Sequence, residues 1–140
     1  MSVDFFDSNV FIYRFDPTDE RKRSIAHGLI DSAIETDRGC ISFQVVQETL
    51  RMITEKIPNP LAPDDAQAFL KHSLLPLWRV MPSAGLYTAA LHLKARWQLA
   101  FYDSLIVAAA LEAGCRRLLT EDLQDGQRIE GLRIENPFKR

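Results

Sequence analysis

Four acidic residues, Asp7, Glu48, Asp103 and Asp122, stand where a carboxylate can do chemistry rather than merely face water. Asp7 follows a short strand over residues 3–6, and Asp122 comes two residues after Thr120, behind a strand over 116–120. Glu48 borders the apolar stripe of one helix, and Asp103 opens the most hydrophobic helix of the chain. Carboxylates that share a partly buried site raise each other's pKa, and desolvation adds to the effect. A divalent cation resolves that conflict. Mg²⁺ and Mn²⁺ take oxygen ligands, keep several waters and are often shared with a substrate phosphate. Such a cluster binds phosphate through its metals and supports hydrolysis: one ion lowers the pKa of a bound water, and a second stabilises the leaving oxygen.

Each acid also has a plainer reading. Asp7 with Ser8 and Asn9 is a turn that can cap the next helix. Glu48 alone is a solvated helix-edge charge. Asp103 is a plain N-cap, and Asp122 lies in the turn-rich TEDLQDG. Asp125, in the same segment, either joins the site or shapes the DG turn, while Glu121 alternates away from Thr120 and Asp122 and is expected to be exposed. Together the four acids point to a site, because four independent turn residues would not fall in this order along one sheet edge.

The elements that must position these acids follow from periodicity. A helix over 18–36 carries Ala26, Leu29, Ile30, Ala33 and Ile34 on one face, with residues 20–23 charged outside it. After the break at Asp37, Arg38 and Gly39, residues 40–42 read as a second strand, and Ser42 caps a helix from Phe43 to about Ile57. Pro58, Asn59 and Pro60 interrupt the chain, and Pro63 starts another helix with Asp64 and Asp65 in its first turn. A third strand is expected within 74–81, closed by Pro82, and a helix over 84–98 carries Leu86, Ala90, Leu93 and Trp97 on one face. The helix from Asp103 stops at Gly114. Residues 116–120 are a fourth strand, and 132–134 a possible fifth. Alternating helices and short strands imply a three-layer α/β/α domain with a mostly parallel sheet of four or five strands. In such folds ligands bind beyond the carboxyl ends of the strands, where these acids fall.

At 140 residues the chain reads as one domain, 1–140. A domain of that size buries about 68% of its unfolded surface and needs no disulfide staple. The net charge of −2 excludes a generic polyanion binder, so a nucleic-acid partner would need local positive charge or bound cations. Cys40 and Cys115 match no metal pattern and read as buried thiols, which fits a reducing, cytoplasmic compartment. The first ten residues carry two acids and no basic stretch, unlike a signal peptide, and no apolar run approaches the roughly 18 residues of a membrane span. His27, His72 and His92 lack metal spacing, and no nucleophile elbow or Gly-rich phosphate loop is present. Trp78 and Trp97 read as core or interface residues, and the basic pairs as solvated faces.

The ordered acids resemble the PIN-domain family, and most closely its VapC-type toxin ribonucleases. DSNVFIY is similar to the family's Asp-x-Asn opening, with Asp7 as ligand and Asn9 in support. QVVQETL places Glu48 as the helix-borne glutamate. FYDSLIVAAALEAGC resembles the aromatic-Asp-small opening of a buried helix, with Asp103 as ligand, and LLTEDLQDGQ resembles the strand followed by Thr/Ser-x-Asp, with Thr120 in support and Asp122 completing the set. The resemblance covers nearly the whole chain. It implies a Mg²⁺- or Mn²⁺-dependent endoribonuclease that leaves a 5′-phosphate and a 3′-hydroxyl. It also implies a homodimer, and a VapB-like antitoxin that wraps the toxin and obstructs the acidic groove.

Other readings meet obstacles. A haloacid-dehalogenase-like phosphatase needs a second Asp two residues after the first, where Asn9 stands, and a suitably placed lysine. A receiver-like module clusters its acids in the first loop, unlike the spread over positions 7, 48, 103 and 122. A PIN-like domain that processes RNA outside a toxin–antitoxin pair, or one that has lost activity, shares the fold; retention of all four acids argues against the inactive form.

Overall fold

The computed structural model describes residues 2–140. Strand β1 (Asp4–Phe6) runs into α1 (Ser8–Tyr13), and α2 (Glu20–Thr36) leads to β2 (Gly39–Ser42). Helix α3 (Phe43–Arg51) continues as a π-helical turn over Met52–Lys56; α4 (Pro63–Phe69) does the same over Leu70–Leu74 before β3 (Trp78–Val80). Helices α5 (Ala84–Trp97) and α6 (Phe101–Glu112) precede β4 (Arg117–Leu119), β5 (Arg128–Ile129) and β6 (Leu132–Glu135). Local chemistry sets several boundaries. Asp19 caps α2 by accepting from the Lys22 amide at 3.0 Å, and Ser83 caps α5 through the Leu86 amide at 3.1 Å. Asp37 ends α2 in the left-handed conformation, φ 56°.

The sheet order is β3-β2-β1-β4-β6-β5, parallel throughout except for the β5–β6 pair. The chain moves outward from β1 to β2 to β3, then returns to place β4 on the other side of β1. Right-handed crossovers therefore put α2 and α3 on one face and the α5–α6 pair on the other, a three-layer α/β/α arrangement. The strand order reverses between β1 and β4, and a crevice opens there beyond the carboxyl ends of those two strands.

Burial explains why this arrangement holds. Strand β2 is buried along its length, as an interior parallel strand should be. All residues of α6 from Ser104 to Ala110 are buried, which accounts for its all-round apolar sequence. Phe5, Phe11, Ile41, Leu77, Leu118 and Ile134 anchor one continuous core at zero exposure, each contributing about 1.5–3 kcal/mol of burial. Gly39 is required by packing: a Cβ there would lie 2.7 Å from Ala33 Cβ and 3.0 Å from Leu77 Cδ2. Cys40 and Cys115 are both buried free thiols, and the contact between them pushes the Cys115 thiol up. Among the described residues no helix is long and apolar enough to cross a membrane.

The structure corrects two sequence expectations. The sheet has six strands rather than four or five, because Arg128–Ile129 pairs with Leu132–Glu135. The two-residue turn between them, Glu130 and Gly131, has φ of 52° and 88°, the conformation of a tight hairpin. Glu-Gly is a weaker hairpin signal than Asn-Gly or Asp-Gly, and so the turn is easily overlooked. The third strand, expected within 74–81, is Trp78–Val80, and Leu70–Leu74 before it winds as a π-helical turn. Helix α6 begins at Phe101, two residues before Asp103, so Asp103 sits inside the first turn and is not the N-cap.

Candidate active site

Asp7 is the innermost acid. It caps α1, accepting from the Ser8 amide at 2.7 Å through Oδ1, and it is only 5% exposed. Burial pushes its pKa up to about 7. Hydrogen bonds from Thr120 and Ser8 work against that rise, and the nearby charges of Glu48 and Asp122 add to it. The Thr120 hydroxyl donates to Asp7 Oδ2 at 2.8 Å. It accepts from the Asp122 amide at 3.1 Å and from Asn9 Nδ2 at 3.2 Å. One fully buried hydroxyl thus uses its donor and both acceptor positions to tie the end of β1 to the loop after β4. Asn9 reaches further and donates to Asp122 Oδ2 at 3.3 Å.

Glu48 lies half-buried on α3, where Gln44 Nε2 holds its Oε2 at 3.3 Å. Desolvation raises its pKa first; hydrogen bonds from Gln44 and Ser8 oppose this, and the charges of Asp122 and Asp103 reinforce it. Asp103 is raised by desolvation and then by Asp122. Repulsion therefore links all four carboxylates around one crevice, and Asp122, the exposed member, acts on the other three. A groove of about 560 Å³ runs through it, lined by Ser8, Asn9, Gln44, Glu48, Arg51, Tyr102 and Asp122.

The donor set suits a hard divalent cation. The groups are carboxylate, amide and hydroxyl oxygens, without a cysteine or histidine among them. Two buried acceptors beside the acids, Asn9 Oδ1 and Gln44 Oε1, have no hydrogen-bond partner among the described residues. Buried acceptors are seldom left in that state, and an ion or its waters would satisfy them. Among the described residues no three acidic, histidine or cysteine side chains are grouped closely enough to hold a metal ion between them. Glu48 and Asp122 line the open groove, with Asp7 and Asp103 near enough to act on their charges.

Asp125 is placed elsewhere. Its oxygens accept from the Asn136 amide at 2.8 Å and from Lys139 Nζ at 3.2 Å, which pins the C-terminal segment. Glu121, expected to be exposed, is partly buried: the Tyr13 hydroxyl donates to it, and Lys22 Nζ lies 3.2 Å from its Oε2. The alternation argument assumed that the strand continues, but β4 ends at Leu119, and beyond it the chain is free to turn. Sequence reasoning missed Gln44 and Arg51. The i, i+4 spacing of Gln44 and Glu48 on one helix face was the available signal for the first. Nothing in the sequence separates Arg51 from any exposed helical arginine.

The model of the PIN domain matches residues 5–128. No curated protein matches the chain in sequence. Among solved structures, the DNA-bound VapBC of Salmonella typhimurium is similar at a TM-score of 0.66 and 22% identity, over 98% of this chain and 99% of that one. VapBC2 of Rickettsia felis, bound to a promoter DNA fragment, gives 0.65 and 16%, over 96% and 98%. VapC20 of Mycobacterium tuberculosis, a sarcin-ricin loop cleaving toxin, gives 0.59 and 17%, over 85% and 89%. At these identities the likeness is one of fold, whereas the family match spans most of the chain and its four acids meet at the sheet's switch point: the chain belongs to the PIN-domain family.

Proposed function

We propose that this protein is a divalent-metal-dependent endoribonuclease and the toxin of a VapBC-like toxin–antitoxin pair, with the whole chain acting as one cytoplasmic nuclease domain. The observation that supports the reading is that Asp7, Glu48, Asp103 and Asp122 lie near enough to repel one another, with each of the first three pushed toward its neutral form and with Glu48 and Asp122 lining the groove. Three carboxylates held at such cost are of use to a cation. PIN-family membership also removes the haloacid-dehalogenase-like phosphatase as an alternative.

In this reading Asp7, Glu48, Asp103 and Asp122 hold Mg²⁺ or Mn²⁺. The ions, when bound, polarise a phosphodiester and lower the pKa of a water. The protein's own part is orientation. Thr120 fixes Asp7 Oδ2, Asn9 aligns Asp122, and Gln44 aligns Glu48. Arg51, on the groove wall, offers a fixed positive charge to the RNA backbone. The toxin role draws on the fold shared with VapBC complexes, and the choice of RNA on the sarcin-ricin loop cleaving toxin of the same fold. A VapB-like antitoxin would then cover the groove of a toxin homodimer.

The test is direct. Purified protein is incubated with an end-labelled structured RNA in Mg²⁺, in Mn²⁺ and in excess EDTA. Cleavage to 5′-phosphate and 3′-hydroxyl ends with either metal, and none in EDTA, is expected. Undiminished cleavage in EDTA would overturn the metal mechanism, and no cleavage under any condition would overturn the nuclease reading.

A further inference from the structure

The opposite end of the sheet carries a second concave surface of contrary charge. A cleft of about 740 Å³ opens between the second half of α2 and the amino ends of the strands. Phe6, Leu29 and Ala33 contribute apolar wall, and five arginines line it: Arg38, Arg116, Arg117, Arg128 and Arg133. Three of these are aligned by register. Arg117 on β4 is paired with Arg133 on β6, and Arg133 with Arg128 on β5. Residues directly opposite on neighbouring strands share a face, with Cβ atoms about 4.5–5.5 Å apart, and like charges there are destabilising.

Only part of this charge is neutralised within the fold. Arg117 is held between Asp4 and Glu135, and Arg133 Nη2 lies 3.5 Å from Glu135 Oε1. Arg116 and Arg128 are exposed and make no side-chain hydrogen bond or ion pair among the described residues. The guanidinium groups of Arg116 and Arg128 are thus left uncompensated in the cleft, on a chain whose overall charge is −2. Among the described residues every cation lining the cleft is an arginine, whose planar fork matches phosphate oxygens two at a time.

We propose that this arginine-lined cleft binds phosphate groups of an RNA strand, as an exosite at the end of the sheet opposite the acidic groove. The row of arginines presents repeated anion positions along a line, as a phosphodiester backbone does. Strand β1 has three residues, so Asp4 beside the cleft and Asp7 in the groove are separated by about 10 Å of backbone. One folded RNA can therefore touch both. That the phosphates belong to RNA rests on the nuclease reading; the anion site itself does not.

The experiment follows fluorescence anisotropy of a fluorescein-labelled RNA hairpin in EDTA, across a salt series, with intact protein and the Arg116→Gln/Arg128→Gln variant. The variant should bind about tenfold more weakly, and its slope of log affinity against log salt should shrink by about 1.4, the value for two lost backbone contacts at about 0.7 each. An Arg116→Lys/Arg128→Lys variant keeps both charges and should keep the slope. Unlabelled RNA should displace the probe at far lower phosphate concentration than inorganic phosphate or a mononucleotide. Unchanged affinity and slope in the glutamine variant would overturn the proposal. So would equal displacement per phosphate by inorganic phosphate, which marks a free-anion site, or arginine-dependent binding of poly-glutamate but not of RNA, which marks a site for an acidic protein. Because no metal is present, failure here leaves cleavage in Mg²⁺ untouched. Conversely, arginine-dependent RNA binding by a protein that never cleaves would sink the nuclease reading alone.

Discussion

The two ends of the central strands treat charge in opposite ways. Beyond the carboxyl ends of β1 and β4, Asp7, Glu48, Asp103 and Asp122 repel one another, and the donors that reach Asp7, Glu48 and Asp122 are the neutral groups of Thr120, Gln44 and Asn9. At the amino ends, Asp4 on β1 meets Arg117 on β4 through two hydrogen bonds of 3.1 and 2.6 Å, and Glu135, the last residue of β6, takes the same guanidinium from further along the sheet. Both ends join the same strands with polar groups. Only the amino end does so with charges that cancel. A carboxylate that stabilises the fold is given a cation by the fold, and one that must bind something else is left without.

The first consequence is for activity, and it is the largest. Asp103 makes no hydrogen bond among the described residues, and its first-turn position on α6 favours a negative charge only modestly. Asp103→Asn therefore removes charge without disturbing packing. Metal-dependent RNA cleavage should fall on the order of 10²–10³-fold, the loss typical of one group that stabilises developing charge. The melting temperature should hold or rise. A variant that cleaves like the parent would remove Asp103 from the site and break the contrast between the two ends.

The second sharpens the contrast through pH. An aspartate has a pKa near 3.9 in an unfolded chain, whereas Asp7 is pushed up to about 7 by its burial. In EDTA, the unfolded state loses this proton first. The contribution of Asp7 to stability is thus fully present below about pH 4, is lost as the pH rises toward 7, and changes no further above that. The whole effect is roughly 4 kcal/mol at most. Asp7→Asn never ionises; its one carbonyl oxygen can keep the bond from the Ser8 amide at the cost of the bond from Thr120, a loss of about 1 kcal/mol against the larger gain at neutral pH. Urea titrations in EDTA should show this variant more stable than the parent at pH 7.5, with the gap closing near pH 4. A variant less stable at neutral pH would mean that the Asp7 charge is compensated after all, like those at the other end. Saturating Mg²⁺ should shrink the gap from the parent's side, because an ion that binds only the folded state adds its binding free energy to stability.

How much of this could be read from residues alone differs between the same two ends. Asp7, Asp103 and Asp122 are legible because each follows a strand or opens a helix of unmistakable apolar pattern, and parallel strands carry such positions to one edge. Glu48 is harder. Its position four residues after Gln44 has meaning only once Gln44 is seen anchored to the Tyr102 carbonyl at 3.2 Å. The tie of Tyr13 and Lys22 to Glu121 joins residues about a hundred positions apart, and no local pattern announces it. The arginine row is hidden for a related reason. It depends on the register of β4, β5 and β6, and β5 is two residues long behind a weak turn signal. Alternation and helical period reveal which face is buried; they do not reveal which polar residues of distant strands lie side by side.

The smallest effect has the opposite sign and tests the other half of the comparison. Asp4 is three-quarters shielded and shares Arg117 with Glu135, so an asparagine there leaves the guanidinium with one carboxylate instead of two. One of the two hydrogen bonds from Arg117 would be lost and the other weakened, because the asparagine carbonyl can accept only one of them. The pair is also open enough to solvent to be screened. A loss of about 0.5–1 kcal/mol is the size expected, and it should diminish in high salt. Asp7→Asn and Asp4→Asn are the same substitution at the two ends of one strand, and at pH 7.5 in EDTA they should move the urea midpoint in opposite directions. If Asp4→Asn also stabilised the protein, Arg117 would not be compensating Asp4. The rule that distinguishes a carboxylate kept for folding from one kept for a ligand would then fail on the strand where it is clearest.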